Sequence, residues 1–163
     1  MRHYILLLLG VLLLMQGCSS DDSGEDRRTL LTFTENTAVI PPDPDAPVQI
    51  ATVGSGDKRV FRYEFTIDSD PQIADSGFSE ILIFEVDAAL TSFTATGLAL
   101  VRLSPYYRQS CFCETNDSFP VTSGTISGNR RSQTEWEVDI DVSFLYGSIE
   151  KELQVSGIFK LAN

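Results

Sequence analysis

The sequence predicts an all-β fold: one antiparallel β-sandwich of about eight or nine short strands, with a closed lipocalin-like β-barrel as the alternative. Three observations predict it. Apolar and polar residues alternate along most of the chain, the period of a strand with one buried face. Clusters of Gly, Pro, Asn, Asp and Ser punctuate these runs at short intervals. Beyond the first seventeen residues, no stretch of ten shows a helical period.

The chain opens differently. Behind Arg2, Ile5 to Met15 is an unbroken apolar run. A membrane-spanning helix needs about 20 such residues, whereas a signal-peptide core takes about 7 to 15. The run ends at Met15-Gln16-Gly17-Cys18, which resembles the lipobox of bacterial lipoproteins. Gly17 supplies the small residue before the cysteine; Met15 and Gln16 stand where leucine and alanine or serine are commoner. The resemblance implies that residues 1–17 leave as a signal peptide. It also implies that the Cys18 sulfur becomes a diacylglyceryl thioether, often with a further acyl chain such as palmitate on the amine. An ordinary secretory cleavage that leaves Cys18 unmodified is the competing reading. Two acyl chains anchor a protein stably where one does not.

Cys18-Ser19-Ser20-Asp21-Asp22 is similar to the acidic export signal of Bacteroidota-type surface lipoproteins. That similarity implies the outer leaflet of the outer membrane, with the periplasmic face as the alternative address. The membrane is then a partner through the N-terminal lipid. Residues 18–28 carry no apolar side chain except Cys18 and read as an acidic tether. Residues 29–163 read as a single β domain.

Removing residues 1–17 from 163 leaves 146, enough for one domain with a sizeable core. Loss of Arg2 leaves 11 basic residues against 23 acidic ones, a net charge of −12. Such a surface repels nucleic acid, so no nucleic-acid partner is expected. The only histidine is His3 and the only methionines are Met1 and Met15. The mature chain therefore has neither residue type. Ser-His-Asp and Cys-His catalysis are excluded, as are histidine-ligated zinc, iron and type-1 copper centres. No cofactor or metal is expected.

The elements follow in order. Thr29 to Thr34 is a short strand candidate. Pro41-Pro42-Asp43-Pro44-Asp45-Ala46-Pro47 cannot join a ladder and reads as a stiff connector. Val48 to Val53 is a second short candidate, and Gly54-Ser55-Gly56-Asp57 has the composition of a tight hairpin. From Val60 to Asp68, Phe61, Tyr63, Phe65 and Ile67 face one way and Arg62, Glu64, Thr66 and Asp68 the other. Asp68 to Gly77 is a loop. Ser79 to Ala88 and Phe93 to Leu103 are strand-like with mixed faces, which predicts two-sided burial. Tyr106 to Glu114 and Val121 to Ser127 are shorter, and Ser127 to Ser132 closes a hairpin. In Thr134 to Phe144, Trp136, Val138, Ile140, Val142 and Phe144 share one face and Glu135, Glu137, Asp139, Asp141 and Ser143 the other. Glu152 to Leu161 repeats that design, with Leu153, Val155, Gly157, Phe159 and Leu161 on the core side.

Four local features bear on chemistry. Cys111 and Cys113 form an even pair in an oxidising compartment, and a structural disulfide between them is the first reading. Residues two apart on an extended strand lie about 6.6 Å from each other, so the chain must bend there to close the bridge. Two reduced thiols, or a functional thiol pair, are the other readings. Asp68 to Asp75 gathers three acids but departs from the calcium-loop pattern at Gln72 and Ile73, so a turn is the simpler reading. The carboxylates of strand 134–144 point to water, where nothing raises a general acid's pKa. Tyr106-Tyr107-Arg108 offers an aromatic contact surface, because one of two adjacent tyrosines on a strand must face outward. Trp136, on the apolar side of its strand, reads as core.

No catalytic site emerges. The sequence predicts a non-catalytic outer-membrane surface lipoprotein that binds a ligand or a partner, an envelope protein or a glycan. An enzyme using Cys111 and Cys113 as a redox pair or a carboxylate hydrolase is one alternative. A structural or inhibitory envelope protein is the other.

Overall fold

The computed structural model describes residues 27–68, 77–111 and 115–162. They form β1 (Arg27–Ile40), β2 (Thr52–Ile67), β3 (Phe78–Asp87), β4 (Ser92–Thr96) and a 3-10 helix (Gly97–Leu103). β5 (Tyr106–Ser110), β6 (Phe119–Pro120), β7 (Ser123–Arg130), β8 (Glu135–Tyr146) and β9 (Ile149–Leu161) follow. Strand accounts for 68% of the described residues and helix for 6%, so the all-β class holds.

Hydrogen bonding links the strands in the order β4-β7-β8-β9-β1-β2-β3-β5-β6. Neighbours are antiparallel except β1 and β9, which run parallel and pair only at Thr32↔Lys160 and Phe33↔Leu161. At that narrow join the sheet turns back on itself, and its two halves press their apolar faces together. Phe61 of β2 meets Trp136 of β8 edge-on at 5.5 Å between ring centroids and Phe159 of β9 at 5.7 Å. Tyr107 of β5 lies 4.5 Å from Phe144, and Phe119 of β6 lies 4.8 Å from Tyr146. The outermost strands, β4 and β6, do not pair, so the closed barrel is not formed and the architecture is sandwich-like.

Alternation dictates this core. Trp136, Val138, Ile140, Val142 and Phe144 are all buried, while Asp139 and Asp141 between them are exposed. β3 carries the two-sided burial that its mixed pattern predicts. Leu82 and Phe84 enter the sandwich, whereas Ile81 and Ile83 build a second cluster with Val39, Ala51 and Val60.

Three local expectations are corrected. Gly54 to Asp57 is no hairpin turn, because these residues continue β2 along β1. The ladder shifts there, with Thr37 opposite both Ser55 and Lys58, and Asn36 turns left-handed at φ 55°. The two-stranded ribbon thereby curls over the back of its own sheet. Val39 is buried against Ile81 and Ile83, and its N–H donates to the Glu85 carboxylate at 2.8 Å. Local turn chemistry thus yields to a long-range ladder. Phe93 to Leu103 is only half strand. After left-handed Gly97 the chain winds into the 3-10 helix, whose three-residue turn puts Leu100 and Leu103 on one buried side. β1 begins at Arg27, so Arg27 and Arg28, read from composition as the end of the tether, belong to the strand. Arg28 pairs with Asp68 at 2.8 Å.

Residues 41–51 form one connector outside the ladders: 41–47 as expected, 48–51 contrary to the strand read over Val48 to Val53, of which only Thr52 and Val53 join β2. It docks on the segment before β6: Gln49 N–H donates to Asp117, Ser118 N–H to the Gln49 carbonyl, and Ala51 N–H to the Ser118 hydroxyl.

Candidate functional site

β5 splits the residues of the expected contact surface between two faces. Tyr107 points inward and is 2% exposed, so it is a core residue and no contact surface. Tyr106 and Arg108 point outward. With Arg62 and Ser118 they line a pocket of only about 40 Å³, room for a water and little else. The Arg62 guanidinium is taken by Glu64 at 2.9 Å. Trp136 is fully buried, as its place on the strand predicts.

Cys111 is half-buried at a bend just after β5, so the extended geometry that opposes a bridge ends before it. Cys113 lies outside the described residues, and the pairing with it. Of the acidic loop only Asp68 is described; Asp70 and Asp75 lie outside the described residues. Three of the four acids of β8 are tied to neighbours: Asp139 accepts from Ser156, Asp141 from Gln154, and Glu137 pairs with Arg131.

Inside the sandwich sits a polar cluster that the alternation does not reveal. Glu80 lies on the inward face of β3. Its two carboxylate oxygens accept the hydroxyls of Tyr63 at 2.6 Å and Tyr107 at 2.8 Å, and Gln109 donates to the Tyr107 oxygen at 2.9 Å. Burial, then the hydrogen bond to Glu80, then its charge raise both tyrosine pKa values well above 10. Neither phenol is a base or nucleophile at neutral pH. The linkage sign follows. Protons held more tightly in the folded state give stability that is complete below the unfolded tyrosine pKa and lost as pH rises past it. The urea midpoint is therefore expected to stay level through neutrality and to fall above about pH 10. A midpoint still level well into that alkaline range would contradict the cluster.

At the other end of the core lies Arg59, 2% exposed. Its guanidinium covers the Trp136 ring at 4.6 Å, pairs with Glu35 at 2.8 Å and reaches the carbonyls of Ala88 and Leu90. These partners come from three separate parts of the chain, and a lone arginine in a strand gives no sequence signal of them. Held by these partners and 2% exposed, it is a lid on the core.

The open side of the sandwich carries a pocket of small-molecule size. The 3-10 helix crosses from β4 to β5 and leaves a groove of about 320 Å³ against β3, within the range of small-molecule sites. Val86, Phe93, Ala95, Ala99 and Leu103 give it apolar lining, and Lys58, Glu85, Asp87 and Arg102 give it charged lining. Lys58 leans on Asp87 at 3.8 Å, and Glu85 is occupied by the Val39 amide. Arg102 makes no ion pair or hydrogen bond among the described residues. Leu98 is 91% and Val101 67% exposed on the outer side of the helix. The groove is hidden in the sequence because the helix reads there as a strand; the only signal is the left-handed-prone Gly97 before leucines three apart.

No protein family, no curated protein and no solved structure matches this chain. The site alone therefore carries the functional reading.

Proposed function

We propose that this chain is a lipid-anchored, non-catalytic binding module on the outer face of a bacterial outer membrane. Its side groove takes an amphipathic ligand, with the apolar body on Phe93, Ala95 and Ala99 and an anionic group at Arg102. The anchor rests on the lipobox-like Gly17-Cys18 and the acidic residues after it. The observation that carries the binding reading is the groove itself: an apolar lining of ligand size beside an arginine with no ion pair among the described residues. The non-catalytic reading is supported by the tyrosines held protonated against Glu80 and by the engaged surface acids of β8.

Decanoate, an apolar chain ending in a carboxylate, is the probe. Titrated into the folded protein, it is expected to shift the methyl resonances of Ala95, Ala99 and Leu103, and Arg102→Glu is expected to weaken binding at least about tenfold, the loss of a charge-assisted contact. Unmoved groove methyls, or equal affinity in the variant, would overturn the assignment. The mass of the N-terminal peptide tests the anchor separately: Cys18 is expected to carry the diacylglyceryl group.

A further inference from the structure

The geometry points to a second membrane contact: we infer that the β8–β9 hairpin tip dips into the lipid surface beside the N-terminal anchor. The inference rests on the lipid-anchor reading above.

β9 runs parallel to β1, so both strands start at the same end of the sandwich. β1 starts at Arg27, where the chain arrives from Cys18, and β9 starts at Ile149, directly after the hairpin turn. A second contact fixes the same end independently. Tyr146, the last residue of β8, donates its hydroxyl to the Thr115 carbonyl at 2.7 Å, and Thr115 lies on the return from the far end of β5. The nine peptide steps from Cys18 to Arg27 can reach no further than about 30 Å. A relaxed tether of that length spans only about 15–18 Å, so acylated Cys18 favours this end over the opposite one near the bilayer.

The tip has the chemistry for it. Leu145 and Ile149 are each 62% exposed and flank the Gly147-Ser148 turn. Leu145 is paired opposite Glu150, and Ile149 opposite inward-facing Tyr146, so the two aliphatics leave opposite faces of the ribbon. A tip that is apolar on both faces gains from an apolar surround and has no use for one in water. Tyr146 is itself buried, which stiffens the stalk behind the tip. Glu150 and Glu152 stand exposed just above, while Lys151 between them lies over the Tyr146 ring and Arg28 is paired with Asp68, so a zwitterionic lipid surface is the match and an anionic one repels. The tether raises the local lipid concentration, so two aliphatic side chains suffice to set the orientation. The groove beside the 3-10 helix then stands to the side, open to its ligand.

The full acylated chain in vesicles of brominated phosphatidylcholine tests this. Native Trp136 is fully buried at the opposite end of the core and gives a constant background. The emission added by Ile149→Trp is expected to be quenched, and that added by Leu98→Trp to survive. Hydrogen exchange of the unsubstituted protein gives the second readout: amides 145–149 are expected to slow on phosphatidylcholine vesicles and to recover when phosphatidylglycerol is added. A diacylated protein with unquenched Ile149→Trp and unprotected 145–149 amides overturns the hairpin contact alone. An unmodified Cys18 overturns the anchor and this inference together.

Discussion

Replacing Arg59 with methionine is expected to lower the unfolding free energy by about 3 kcal/mol in urea denaturation, the cost of breaking a buried charge pair. The side chain is 2% exposed and Glu35 opposite it is 31% exposed. Removing the cation strands a partly buried carboxylate, and water can solvate it only in part. The same change removes the guanidinium from the Trp136 face, a contact worth about 1–2 kcal/mol when desolvated. It also frees the carbonyls of Ala88 and Leu90, which fix the loop between β3 and β4. Methionine refills the volume, so little of the loss comes from a cavity. Arg59→Lys separates charge from shape: it keeps the ion pair but lacks the planar fork that meets a carboxylate, two carbonyls and a ring at once. It is expected to recover part of the stability and not all of it. A methionine variant as stable as the parent would show that the arginine merely fills space.

Gly124→Ala is expected to cost about 4 kcal/mol, combining roughly 1–3 kcal/mol of backbone strain with a similar overpacking term. Gly124 has φ 103°, a region that residues with a Cβ rarely adopt. A Cβ there would overlap the Asp141 carbonyl oxygen and lie 2.6 Å from Val142 Cα. Both are backbone atoms of β8, the ladder partner of β7, so no side-chain rotation relieves the overlap. Gly97→Ala is the control. Its φ of 55° is also left-handed, but nothing lies within 4 Å of the added carbon. It is expected to lose only about 1 kcal/mol, the strain alone. Thermal unfolding of the two variants side by side measures the difference. Equal losses would mean that β7 and β8 can part at this point without penalty.

Much of the strand inventory is legible in the amino-acid pattern. Residues 135–146 and 149–161 form strands whose alternation names their buried side chains, because a period of two carries the inside-outside choice of every residue. The two-sided burial of β3 is legible in its mixed faces, where Ile81 to Phe84 are apolar on both sides. The 3-10 helix is not, since leucines three apart in a short, mostly apolar stretch fit either a helix or a strand. Of the expected contact surface, alternation requires one tyrosine to face out; which one depends on the side of β5 that meets Phe144.

The Glu80 cluster and the Arg59 lid are hidden for a different reason. Glu80 sits among residues that read as one more strand, and its partners are 17 and 27 positions away. Arg59 finds Glu35 24 positions away, and Trp136 lies in another part of the chain altogether. A buried charge is tolerated only where such partners converge.

By itself, the sequence determined the all-β class, most of the strand faces and the absence of any histidine beyond His3. These follow from composition and from a local period that each strand carries wherever it packs. Only the tertiary structure decided the parallel join between β1 and β9, the ribbon curled over its own sheet, the burial of Arg59 and the groove under the 3-10 helix. Each of those depends on which distant segments meet, and no local period encodes a meeting.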